Sequence, residues 1–120
     1  MRILSPRTHG YLDYVTVAIF LLAPLVLGLG GNPALLSYTL GIGHLVLTLL
    51  TRFPGGISRI IPLVVHGLVE LAVAIALILL PFWAGFSPGS PARRFYLTMG
   101  AVLFIVWLLT DYRGADNSAT

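Results

Sequence analysis

Displaced by 57 residues, the chain matches itself without a gap. Arg2-Ile3 falls on Arg59-Ile60, His9-Gly10 on His66-Gly67, and Asp13 on Glu70. In the same register Leu22 meets Leu79, Pro24 meets Pro81, Gly28 meets Gly85, Leu40 meets Leu97 and Gly43 meets Gly100. The matched residues are turn formers and polar groups, which an apolar composition by itself does not bring into line. Two copies of one unit follow, repeat 1 over about 2–58 and repeat 2 over about 59–115, in a single transmembrane domain spanning 1–120. Chemistry carried by one copy is therefore expected twice.

The repeated unit is built for a bilayer. Hydrophobic residues make up 58% of the 120 and charged residues only 9%, against roughly 25% charged in soluble domains. Four apolar runs, 10–30, 34–51, 62–83 and 94–112, each approach the ~20 residues that a helix needs to cross a hydrocarbon core. Breakers separate them: Gly30-Gly31-Asn32-Pro33, Arg52-Phe53-Pro54-Gly55-Gly56, and Gly85 to Pro91 with Pro88 and Gly89. Pro33 and Pro62 sit where a first helical turn tolerates a missing N–H. The runs are long and lack period-2 alternation, so they predict helices and not barrel strands. With two spans per repeat, both halves enter from the same side. The expected fold is all-α: an integral membrane four-helix bundle from two tandem parallel two-helix repeats, related by a pseudo-twofold along the membrane normal.

Charge orients the bundle. All seven basic residues are arginines and the net charge is +3. Arg2, Arg7, Arg52, Arg59 and Arg113 lie on one side and Arg93 and Arg94 on the other. The positive-inside rule then places both termini in the cytoplasm. Scattered between apolar runs, these arginines form no patch of the kind that nucleic acid requires. Arg2 and Arg7 before an apolar run have the outline of a signal peptide. The run is long, its end lacks a small-x-small site, and its repeat partner is internal, so a retained helix is expected. The segment Asp111 to Thr120 is polar and rich in small residues, and reads as a frayed tail. There is no cysteine, hence no thiolate nucleophile or Cys-ligated metal.

The polar residues inside the spans are the candidates for function. His9 and Asp13 are four apart, as are His66 and Glu70, so each helix presents an imidazole and a carboxylate on one face. Gly10 and Gly67 permit close approach of a neighbouring backbone. Acidic groups in a span usually face the protein interior, and Glu70 is expected deeper than Asp13. The pairs can form local hydrogen bonds tying each first turn to its neighbour, relay protons or ions, or ligate a divalent metal. The first use is the simplest, and without H-E-x-x-H spacing no metal ligand is assigned. His44, within Gly41-Ile42-Gly43-His44, aligns with Ala101 and breaks the symmetry. It is a candidate haem or chlorin ligand, or a packing residue beside small neighbours.

Other residues have structural readings. Pro24 and Pro81, each followed four residues on by Gly28 or Gly85, are expected to shape exit turns. Phe82, Trp83 and Phe86 are expected in the outer aromatic belt, and Tyr11, Tyr14, Trp107 and Tyr112 near the cytoplasmic border. Thr48, Thr51, Thr98 and Thr110 are expected to bond back to helix carbonyls. With no nucleophile elbow or phosphate-cradling loop, the protein is expected to be non-enzymatic.

Each half has a helix with His-x-x-[Leu/Val]-[Asp/Glu], ending at a proline followed by a hydrophobic-aromatic turn and glycine. This resembles the SPW repeat family of small bacterial membrane proteins, over nearly the whole chain from Arg2 to about Arg113. The Ser-Pro-Trp tripeptide of that family corresponds here to Ala23-Pro24-Leu25 and Leu80-Pro81-Phe82, with Trp83 one place later. Thr110-Asp111-Tyr112 and Thr51-Arg52-Phe53 echo a further segment. The resemblance implies the two-span repeat and a place in the bacterial inner membrane, and carries no activity. The expected role is a structural or accessory subunit, packing through helix faces against lipid, a larger respiratory or photosynthetic complex, or itself. A small transporter or channel component using the His–carboxylate pairs is the alternative, and a haem- or chlorin-binding subunit through His44 a further one.

Overall fold

Ser5 and Ser90 begin their helices in the same way: each side-chain oxygen accepts a hydrogen bond from the backbone N–H three residues on, at 3.2 Å, with proline at the next position. The computed structural model describes residues 3–51 and 56–112. Four helices fill them: α1 Pro6–Val26, α2 Gly31–Leu50, α3 Leu63–Trp83 and α4 Pro91–Leu109. At 19 to 21 residues each, they rise about 30 Å, and all four are long and apolar enough to cross a membrane. Large apolar side chains such as Leu25, Val26, Ile42 and Phe82 face outward, which suits lipid and would penalise the chain in water. This is a multi-pass membrane protein.

Three of the four spans shift by three or four residues, the second beginning at Gly31 and not 34. The first span begins and ends four residues earlier than 10–30, because Ser5-Pro6 starts the helix and Pro24 prepares its end. The fourth starts at Pro91 and not 94, again through the serine cap, and stops at Leu109. The exit turns follow the proline–glycine expectation. The N–H of Leu29 donates to Pro24 O at 3.0 Å and that of Phe86 to Pro81 O at 2.8 Å. Gly28 and Gly85 adopt φ of +66° and +73° between them. Both are Schellman closures, in which a residue without Cβ takes the left-handed position.

α1 packs chiefly on α2 and α3 on α4. The halves are then stapled crosswise by parallel bridges, Leu4 with Thr110 and Thr51 with Ile61. Leu4 N–H donates to Leu109 O at 2.8 Å and Asp111 N–H to Leu4 O at 2.9 Å. In the other staple, Ile61 N–H donates to Leu50 O at 2.8 Å. Both ends of the described chain thus meet on one side of the bundle. Asp111 and Tyr112 are correspondingly not frayed, since the staple holds the first and the core buries the second. The rest of the expected tail, 113–120, lies outside the described residues, as do Arg2, Arg52 and Arg113.

The repeat is offset differently in its two parts. α1 and α3 keep the 57-residue shift at both ends, and every buried residue of α3 has a buried counterpart in α1 at that distance. The second helices keep a shift of 59. Gly41 faces Phe20 and Leu21 of α1, while Gly100 faces their counterparts Leu77 and Ile78 of α3. Thr51 and Thr110 cap α2 and α4 in equivalent positions. The longer connection between α3 and α4 absorbs the extra residues, so the gapless pairing of Gly43 with Gly100 is replaced by Gly41 with Gly100. A Cβ on Gly100 would stand 2.6 Å from Ile78 Cγ1 and 3.0 Å from the backbone oxygen of Ala74. Gly100→Ala is therefore expected to cost about 1–3 kcal/mol by overpacking, read as a lower thermal midpoint in detergent. Gly43→Ala, whose Cβ meets nothing within 4 Å, is expected to leave that midpoint unchanged.

The core has two layers. Away from the chain ends, Phe20, Leu77, Phe86, Tyr96, Met99 and Leu103 form one apolar cluster. Phe86 belongs to it, its ring 5.2 Å from that of Tyr96, and so leaves the expected aromatic belt. Phe82 and Trp83 remain exposed, with the Arg93 guanidinium 4.2 Å over the Phe82 ring. Toward the chain ends lies a polar cluster, with buried Leu63 and Tyr112 packed beyond it.

Candidate functional site

His9 and His66 are each the fourth residue of their helix, one turn before Asp13 and Glu70. None of the four is more than 2% exposed. The two expected pairs do not stay apart; they interlock. His9 Nε2 lies 3.2 Å from Asp13 Oδ1 in its own helix and 2.8 Å from Glu70 Oε1 across the bundle. His66 Nε2 meets Glu70 Oε1 in its own helix and stands 3.0 Å from Asp13 Oδ2 across it. One ligand atom from each residue fits within 4.8 Å of all the others. Asp13, expected nearer the interface, is as deeply enclosed as Glu70.

Two threonines decide which imidazole nitrogen does what. Thr51 Oγ1 donates its one hydrogen to Leu47 O at 2.5 Å, so toward His66 Nδ1, 2.6 Å away, it can only accept. Thr110 does the same, donating to Val106 O at 2.6 Å and accepting from His9 Nδ1 at 2.8 Å. Both Nδ1 atoms therefore carry hydrogen, and both Nε2 atoms point at the carboxylates. A bare Nε2 there faces carboxylate oxygens lone pair against lone pair. The arrangement requires a positive charge between them, either protons or a metal ion. Thr51 and Thr110 were expected to make only the back-bonds; their second contact comes from the opposite half, which local spacing does not reveal. Buried Thr48 Oγ1 departs from that expectation, having no hydrogen-bond partner among the described residues.

His44 joins the cluster from α2. Its Nε2 is 3.3 Å from Asp13 Oδ1, where an ionised carboxylate can only accept, so Nε2–H donates. Under the 59-residue register its counterpart is the buried Leu103, not Ala101. Nε2 of His44 is thus turned to the buried Asp13 and is not free to ligate a haem or chlorin. Tyr112, expected at the membrane border, instead closes the cluster. It is buried beside Leu63, its ring 5.4 Å from that of His9. Gly67 makes room for this ring: a Cβ there would stand 2.8 Å from Tyr112 Cε1. Glu70 Oε2 and Asp13 Oδ2 are buried without a hydrogen-bond partner among the described residues. The 3.0 Å approach of His66 to Asp13 Oδ2 is an ion-pair contact outside hydrogen-bond geometry.

No family model, curated protein or solved structure matches the chain.

Proposed function

We propose that this membrane protein binds one first-row transition dication through His9, His66, Asp13 and Glu70. The observation that carries the reading is the meeting of two Nε2 atoms, each with Nδ1–H fixed by a threonine, on two carboxylates whose Oδ2 and Oε2 are buried without a hydrogen-bond partner among the described residues, Oδ2 having only the ion-pair contact with His66. Imidazole and carboxylate donors without thiolate suit zinc, iron or manganese dications. At about 2.1 Å per bond, tetrahedral ligand atoms stand about 3.4 Å apart, so binding one ion would draw in the widest pairs of the cluster and open the contacts of Glu70 Oε1 with both histidines. Two carboxylates balance two positive charges, which removes the cost of burying uncompensated charge in a span. Thr51 holds His66, Thr110 holds His9 and His44 holds Asp13, the kind of outer hydrogen bond that orients the ligands of a metal.

Protons are the competing occupant, and they correspond to the simple hydrogen-bonded reading of the sequence. Two imidazolium groups would balance the charges but leave Glu70 Oε2 unpaired. Elemental analysis of protein purified in mild detergent separates the two. One equivalent of a single transition metal per chain is expected. Stripping by a chelator should lower the thermal midpoint, and stoichiometric metal should restore it. Metal far below one equivalent, with no response to chelator or added metal, would leave only the protonated network.

The reading is of a binding protein, without a catalytic step. Apolar layers on either side of the cluster, Leu63 with Tyr112 and Phe20 with Leu77, favour a closed centre over a channel. Lipid accounts for the apolar outer faces without an accessory role beside a larger complex. Cytoplasmic ends belong to the same proposal and rest on the arginine distribution; placement in a bacterial inner membrane rests on the SPW resemblance alone. Kinship with the SPW repeat proteins is part of the proposal too; its support is the two-helix unit turning at Pro24 and Pro81.

A further inference from the structure

A cavity of about 390 Å³ runs along the outside of α2 against α3, walled by Leu40, Leu47, Val69 and Val73. Its side-chain polar groups are Thr39 and His44, and the Thr39 hydroxyl already donates to Leu35 O at 2.9 Å. His44 is 93% buried, being 7% exposed, and Nδ1 is its uncommitted nitrogen, with no hydrogen-bond partner among the described residues. Because Nε2–H donates to Asp13, neutral His44 presents Nδ1 as an acceptor. Gly43 leaves a flat floor beside the ring, its missing Cβ facing open space. At the equivalent positions of the second half stand Val102 and Leu103, so neither the floor nor the acceptor recurs there.

We infer that this groove binds a membrane-soluble phenol or hydroquinone, whose hydroxyl donates to His44 Nδ1. The ligand must bring a donor, because the waiting nitrogen is an acceptor. Its body must be apolar, since the walls are apolar side chains of membrane-spanning helices. His44 lies six residues inside the end of α2, about 9 Å along the axis, so an ordinary lipid headgroup stays out of reach. A planar ring fits the glycine floor. The inference stands whether a metal or protons fill the neighbouring cluster.

Calorimetric titration of the purified protein with 4-nonylphenol and with its methyl ether tests this, with metal content measured on the same samples. Saturable one-to-one binding of the phenol is expected, with the ether at least tenfold weaker. Gly43→Val, which copies Val102, should abolish binding of both. His44→Leu, which copies Leu103, should retain weak binding and lose the preference for phenol. Equal, unsaturable uptake of both compounds, or uptake unaltered by Gly43→Val, would mean ordinary apolar filling and overturn the inference. So would a phenol preference that survives His44→Leu. Phenol binding without metal would sink the metal reading alone; metal without phenol preference would sink only this one.

Discussion

Glu70→Gln should reduce bound metal from one equivalent per chain to less than about a tenth, with the fold retained. Glutamine preserves the shape of the side chain and removes its charge. Glu70 Oε1 is the oxygen on which both histidine Nε2 atoms converge, so this change acts at the centre of the cluster. A dication would be left with one carboxylate, in surroundings that discourage net charge. Breaking a buried charged cluster by removing one partner costs about 3–5 kcal/mol. The thermal midpoint of Glu70→Gln should accordingly fall to that of chelator-treated wild type, and chelator should not lower it further. A variant that still loses stability on chelation would place the metal elsewhere. Asp13→Asn is expected to do less damage, because His44 still holds that side chain in position.

Thr51→Val and Thr110→Val should each weaken metal binding by about 10- to 100-fold, the usual effect of deleting a supporting hydrogen bond to a ligand histidine. Valine keeps the branched shape and removes the acceptor for Nδ1–H. The ring is then free to carry its hydrogen on either nitrogen, and the tautomer with Nε2 available becomes a choice instead of a requirement. The buried N–H also goes unpaired, which costs about 1–3 kcal/mol before any metal is added. Thr51→Ser, which keeps the hydroxyl, should restore most of the affinity. Competition against graded chelator gives these ratios directly. The two threonines hold different histidines but share one ion, so the double variant tests whether their effects add. Unchanged affinity in both single variants would remove the tautomer argument on which the metal reading depends.

The parts of the site that were legible lie within single helices. A histidine four residues before an acid is a local pattern, and its recurrence at 57 residues marked both copies. The prolines and glycines of the exit turns were legible for the same reason, since a Schellman closure involves only neighbours in sequence. What escaped depends on how helices seat against each other. The 59-residue register of α2 and α4 is set by Gly41 against Phe20 and Gly100 against Leu77. A chance match of Gly43 with Gly100 hid it and gave His44 the wrong counterpart. Thr51 and Thr110 reach histidines of the opposite half. Tyr112 follows an acidic residue at the start of a polar tail, and nothing local marks it as buried. Phe86 reads as an interfacial aromatic until Tyr96 is seen beside it.

The crosswise staples, Leu4 to Thr110 and Thr51 to Ile61, give the bundle the connectivity of a two-subunit ring whose subunits happen to share a backbone. Two separate copies of one half could close in the same way, each second helix grasping the start of the other's first. Such a pair would be bound by its symmetry to carry two grooves or none, and two histidines at the position of His44 or none. Joining the halves lifts that obligation. Four residues of the centre can remain matched while a single flank acquires Gly43 and His44 and the other keeps Val102 and Leu103. The fusion thus gives a symmetric centre one distinguishable side, a property no homodimer of the half could hold at equilibrium.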